Sequence, residues 1–71
     1  MRLSARNQLS GVVESVTTDE VMAEVIVRLR GGDTIVSAIT AHSAESLGLV
    51  PGKAVTVVIK STEVMVGVAD G

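Results

Sequence analysis

Residues 21–30, VMAEVIVRLR, followed by Gly31-Gly32-Asp33 and residues 34–40, TIVSAIT, decide the fold. In the first run Val21, Ala23, Val25, Val27 and Leu29 fall on one side of an extended chain, and Met22, Glu24, Ile26, Arg28 and Arg30 on the other. Successive side chains of a strand point to opposite faces, so this alternation predicts a strand with one apolar face. Glycine pairs between two such runs are a hairpin signal. The stretch therefore reads as strand, tight turn, strand.

Upstream, residues 8–18, QLSGVVESVTT, are β-branched and loosely alternating, which predicts a further strand. Asp19 and Glu20 form the turn into the next one, so the first three strands make a meander. Downstream the period changes. Residues 41–48, AHSAESLG, predict one or two helical turns, with Thr40 or Ser43 as the N-cap and Gly48 as the stop. Leu47 and Leu49 are expected to plug the end of the barrel. Pro51-Gly52 marks a turn, residues 53–60 a fourth strand, and residues 62–68 a fifth. Five short strands with one short helix between the third and fourth is the order of an all-β, OB-like barrel. Residues 1–7, MRLSARN, stand outside the meander as an arm, and residues 1–71 read as a single domain.

Composition narrows what such a domain does. A 71-residue chain is enough for one small core, and a domain of that size buries only about 60% of its unfolded surface. Disulfides, metals or partner subunits usually support such scaffolds. There is no Cys and one His, His42, so a disulfide and a thiolate or His-cluster metal site within one chain are excluded. Hydrophobic residues make up 46% of the chain, none of them aromatic, and mean hydropathy is +0.51. The expectation is a homo-oligomer in which part of that apolar surface meets another copy.

The net charge is −2, and the six Lys and Arg are scattered, which argues against nucleic acid as a partner. Aromatic stacking platforms for single strands are also missing. No apolar run approaches the roughly 20 residues that span a bilayer, and the N-terminus has no secretory pattern. The expected location is the cytoplasm, with no membrane partner.

Catalysis is not expected. His42 and Ser43 are neighbours on a short helix and so do not face each other. No pair among Glu14, Asp19, Glu20, Glu24, Asp33, Glu45, Glu63 and Asp70 stands out as an acid–base dyad. The stretch Gly48-Leu49-Val50-Pro51-Gly52-Lys53 imitates a phosphate loop. Its glycines are one residue too close, Ala54 follows Lys53, and a strand comes next, so it reads as a plain turn.

Three segments instead offer hydroxyl donors beside a cation or a helix start: Ser4-Ala5-Arg6-Asn7, Thr40-Ala41-His42-Ser43 and Lys60-Ser61-Thr62. Converging donors with modest positive charge suit a small oxyanion. Helix N-termini favour negative charge as well.

The order of these segments resembles the molbindin family, small proteins of molybdenum-pterin-binding type that carry a molybdate-binding TOBE, OB-like domain. The likeness lies in Ser4-Ala5-Arg6-Asn7-Gln8-Leu9 with Gly11, in Ala23-Glu24-Val25, and in Gly31-Gly32. It continues through Ile39-Thr40 with Ser43, Leu47-Gly48-Leu49, Gly52-Lys53, and Ile59 to Gly67, and so covers nearly the whole chain. The resemblance implies a hexamer built as three dimers, with sites at subunit interfaces. It implies an anion site made of Ser4, Arg6, Thr40, Ser43, Lys60 and Ser61. The ligand implied is molybdate, and tungstate with it; molybdenum is held as its oxyanion, with no protein atom bound to the metal and no redox cofactor. The resemblance also implies a second class of family sites on a three-fold axis, and His42 falls at a variable point of the family pattern. The role implied is intracellular molybdenum storage or homeostasis. The competing expectation is a non-binding oligomerisation or regulatory module related to the molybdate transporter and regulator domains.

Overall fold

A computed structural model describes residues 1–70; Gly71 lies outside the described residues. Four strands form one antiparallel sheet: β1 (Asn7–Thr18), β2 (Met22–Leu29), β3 (Thr34–Thr40) and β4 (Ala54–Ile59). The helix α1 (Ala41–Ser46) lies between β3 and β4, as the sequence predicts. The sheet order is β3-β2-β1-β4, so the meander is present and β4 returns to pair with β1.

The alternation in β2 lands as read from Ala23 to Leu29, whereas Val21, read onto the same face, precedes the strand and is exposed. Ala23, Val25 and Val27 are buried, and with Val13 of β1 the two valines make the centre of the core. Val16, Leu29, Ile39, Leu49, Val55 and Val57 pack around them. The β1–β2 register shifts between Val13 and Ser15, leaving Glu14 as an extra residue. Such a bulge bends the strand and reverses its alternation. Val13 and Val16 therefore both reach the core although three positions separate them. At the bulge Glu14 makes an ion pair with Arg28 across the exposed face.

The turns follow from local chemistry. The Asp19 carboxylate accepts hydrogen bonds from the Val21 N–H at 2.8 Å and the Met22 N–H at 2.7 Å, which closes the β1–β2 connection. After α1, Gly48 adopts φ +64°. The Gly48 N–H donates to the Glu45 carbonyl at 2.9 Å and the Leu49 N–H to the Ala44 carbonyl at 3.0 Å. That pair of bonds is the Schellman stop, and it needs a left-handed residue that glycine supplies at no steric cost. Lys53, read from the sequence as part of a turn, also donates its ammonium to the Leu47 carbonyl at 3.0 Å.

Two expectations need correction. Residues 62–68 are not a fifth strand: Ser61–Glu63 form a 3-10 turn and residues 64–70 join no ladder. The turn ends β4 and leads the segment into solvent, where Met65 is 95% exposed and Val66 and Val68 are 90% exposed. A strand is held by a hydrogen-bonded neighbour, and this segment has none among the described residues. The result is a curled half-barrel with free edges at β3 and β4, rather than a closed barrel. The second correction concerns the plug. Leu49 packs on the core, but Leu47 remains 60% exposed because the helix stop turns it outward.

Candidate functional site

The β1–β4 register brings two of the three donor segments together. Asn7 pairs with Ile59, so the residues just before β1 and just after β4 emerge side by side at one end of the sheet. Those residues are Ser4 and Arg6 on one side and Lys60 and Ser61 on the other, all four exposed. The Gln8 side-chain amide donates to the Ala5 carbonyl at 2.7 Å, which ties the arm back onto the start of β1. Lys60 caps the 3-10 turn through its backbone: the Glu63 N–H donates to the Lys60 carbonyl at 2.9 Å, and the Lys60 side chain makes no capping bond. The Arg28–Glu14 pair is the one ion pair among the described residues, so the charges of Arg6 and Lys60 stay uncompensated.

The third segment lies at the opposite end. Thr40 pairs with Met22 at the start of β2, and Ala23 pairs with Thr18 at the end of β1. From Asn7 to Thr18 the strand covers about 35 Å at ~3.3 Å per residue. One chain therefore cannot bring Thr40 and Ser43 to the same small ion as Arg6 and Lys60.

At that far end the hydroxyls are already organised. Thr40 is the N-cap: its Oγ1 accepts from the Ser43 N–H at 3.0 Å and donates to Ser43 Oγ at 2.7 Å. The Thr40 proton is thus engaged inside the cap, and the Ser43 hydroxyl proton is the one left to point outward. His42 is turned away from Ser43; its Nε2 lies 3.5 Å from Ser46 Oγ, one helical turn on. No group of three or more His, Cys, Asp or Glu is placed to hold a metal ion, and no helix is long and apolar enough to cross a membrane, among the described residues.

One carboxyl is displaced from its ordinary range. The N–H groups of Met22 and Val21 hold the Asp19 carboxyl below the usual value of 3.8. It belongs to the β1–β2 turn and not to the donor segments.

The structure adds two positioning residues that the sequence named only within the family likeness. Gln8 fixes the arm. Gly11 lets β1 and β2 approach closely, since a Cβ there would meet Val27 Cγ1 at 2.6 Å and the Arg28 carbonyl oxygen at 2.8 Å. A glycine inside a strand pattern is the signal that finds such a place.

A family model described as the TOBE domain matches residues 3–66. The chain is 48% identical over 66 residues to molybdenum-pterin-binding protein 3 of Clostridium pasteurianum, covering 93% of this chain and 97% of that protein. The structure matches a molybdate-binding protein from Sporomusa ovata with a TM-score of 0.87 at 39% identity, over 93% of this chain and 97% of the other. It also matches the cytoplasmic molybdate-binding protein ModG, in a form with molybdate bound, with a TM-score of 0.82 at 46% identity. That match covers 86% of this chain and 43% of the ModG chain.

Proposed function

As the chain belongs to the molbindin family of TOBE-domain proteins, we propose that it binds the molybdate dianion at seams between copies of itself. The observation that carries this is the placing of the donors. Two uncompensated cations, Arg6 and Lys60, stand beside Ser4 and Ser61 at one end of the sheet, with the Thr40–Ser43 cap at the other. A site that uses all six residues has to be completed by a second chain.

In such a seam Arg6 offers a planar fork of N–H donors and Lys60 a compact point charge. Ser4, Ser61 and Ser43 donate hydroxyl protons, and Thr40 fixes the orientation of Ser43. Arg6 and Lys60 are donors only, so a monoprotonated phosphate would have to turn its O–H to one of the serine hydroxyls, at the cost of the hydrogen bond that hydroxyl donates to a fully ionised dianion. Sulfate carries the same charge but is smaller. Donors spaced for molybdate or tungstate would be left partly unpaired around it, at about 1–3 kcal/mol for each buried group so stranded. No bond is made or broken. The role is to hold and release molybdate inside the cytoplasm, as a store or buffer, and the proposed assembly is a hexamer of three dimers. Ligand held between chains also stabilises the assembly by mass action.

Calorimetric titration of the purified protein with molybdate, tungstate and sulfate tests the reading. It predicts heat and a raised melting temperature with molybdate and tungstate, and a far weaker response to sulfate. Arg6→Ala and Lys60→Ala should weaken molybdate binding at least tenfold while the far-UV circular dichroism stays unchanged. An assembled protein that gives no heat with any of the three anions would be an oligomerisation module instead.

A further inference from the structure

The short helix that carries Ser43 has little to hold it. Of its residues only Ala44 is buried, and no Lys or Arg stands in its last turn. The last carbonyls of a helix have no partner inside it, and a cation beside them is favourable. Lys53 supplies that cation from outside the helix: its ammonium donates to the Leu47 carbonyl at 3.0 Å. The backbone of Lys53 is fastened to β1, where the Val13 N–H donates to the Lys53 carbonyl at 2.9 Å and the Gly52 N–H to the Val13 carbonyl at 2.8 Å. Gly48 leaves room for the ammonium, since a Cβ at that position would stand 3.2 Å from Lys53 Nζ.

From that ammonium a chain of hydrogen bonds runs to the Ser43 hydroxyl. Leu47, whose carbonyl takes the ammonium, donates its N–H to the Ser43 carbonyl at 3.0 Å. The Ser43 N–H donates to Thr40 Oγ1 at 3.0 Å, and Thr40 Oγ1 donates its own proton to Ser43 Oγ at 2.7 Å. Linked hydrogen bonds of this kind reinforce one another. We propose that Lys53 is a positioning residue for the anion site: by pinning the last turn of α1 to β1, it fixes the direction in which Ser43 offers its hydroxyl proton. Lys53 acts through the helix and not by touching the same ion. Thr40 and Leu47 cap opposite ends of α1, about 10 Å apart at ~1.5 Å per residue, so the ammonium is out of hydrogen-bond reach of an anion held at Ser43. The link to molybdate rests on the proposed function; the hold on Ser43 does not.

Lys53→Met keeps the apolar stem and removes the ammonium, and Lys53→Arg returns a donor for the Leu47 carbonyl. Hydrogen exchange of the full chain, read by NMR without molybdate, should show the Ser43 amide several-fold less protected in Lys53→Met than in wild type. Lys53→Arg should restore it, and the core amides of Val25 and Val27 should be unchanged throughout. Equal protection of Ser43 in wild type and Lys53→Met overturns the proposal. So does a loss shared by Val25 and Val27, which would make Lys53 a prop of the whole fold. Molybdate calorimetry then completes a double-mutant cycle. Lys53→Met should weaken binding several-fold in the wild-type background and little further in Ser43→Ala, because its effect passes through Ser43. The same loss in both backgrounds overturns the proposal in favour of a direct electrostatic contribution. A wild-type protein that gives no heat with molybdate overturns the anion reading, while the exchange of the Ser43 amide still decides whether Lys53 holds Ser43.

Discussion

Replacing Gly11 with alanine should destabilise the protein by about 1.5 kcal/mol, the balance of an overpacking cost of about 1–3 kcal/mol and a smaller gain from a stiffer unfolded chain. Gly11 sits in the middle of β1, opposite Leu29 of β2 on one side and Val55 of β4 on the other. An added Cβ would stand 2.6 Å from Val27 Cγ1, 2.8 Å from the Arg28 carbonyl oxygen and 3.3 Å from Leu29 Cδ2. Ordinary carbon contacts lie near 3.5–4.0 Å. The Val27 methyl belongs to a buried core side chain, and the Arg28 carbonyl is backbone of β2, so neither yields freely. The gain from the stiffer unfolded chain offsets about 0.4–1 kcal/mol. For a domain of this size each kcal/mol shifts the melting temperature by about 4–8 °C, which predicts a fall of about 6–12 °C. With no Trp or Tyr to follow by fluorescence, the assay is thermal melting by far-UV circular dichroism at matched protein concentration. Gly31→Ala is the control: a Cβ added at Gly31 would meet nothing within 4 Å, and this variant should melt at or slightly above the wild-type temperature. A Gly11→Ala protein as stable as wild type would refute the close-approach argument.

Thr40→Ala removes the side-chain acceptor for the Ser43 N–H and should cost about 1 kcal/mol, the usual worth of an N-cap, read as a lower melting temperature together with weaker molybdate binding as Ser43 loses its partner. The Asp19 carboxyl lies below its ordinary value because the Met22 and Val21 N–H groups favour its charged form. Its stabilisation is therefore complete above about pH 4, the unfolded value, and fades as the pH falls through the lower folded value. Melting curves from pH 6 to pH 2.5 should show Asp19→Asn less stable than wild type at the upper end, with the gap closing toward the lower. Glu14→Gln breaks an exposed ion pair with Arg28 and should change stability in chemical denaturation by no more than about 0.5 kcal/mol.

Most of the sheet was legible because it depends on short-range patterns. The alternation of Val21 to Leu29, the glycines at 31 and 32, Thr40 at the helix start and Gly48 at its stop each act within a few residues of themselves. The fifth strand was not legible in the same way. Val64, Val66 and Val68 have the alternation of a strand, but a strand also needs a neighbour, and no local pattern says whether that neighbour is in the same chain. Leu47 misled for a related reason: its apolar side chain looked like a plug, while the left-handed turn at Gly48 decides where it points.

The donor segments were visible as residue types. Their arrangement depends on the Asn7–Ile59 register and on the extra residue at Glu14, which short-range pattern does not specify. Only with that register does it follow that Ser4, Arg6, Lys60 and Ser61 share one end and that Thr40 and Ser43 stand about 35 Å away along β1 at ~3.3 Å per residue.

The central claim is that molybdate sits between chains, and an anomalous-difference map from crystals grown with molybdate tests it most directly. The account predicts strong molybdenum peaks at subunit seams, with Arg6 or Lys60 of one chain and hydroxyl groups of another within hydrogen-bonding distance of the oxyanion. Peaks enclosed within a single chain, or peaks that touch none of Ser4, Arg6, Thr40, Ser43, Lys60 and Ser61, would contradict it.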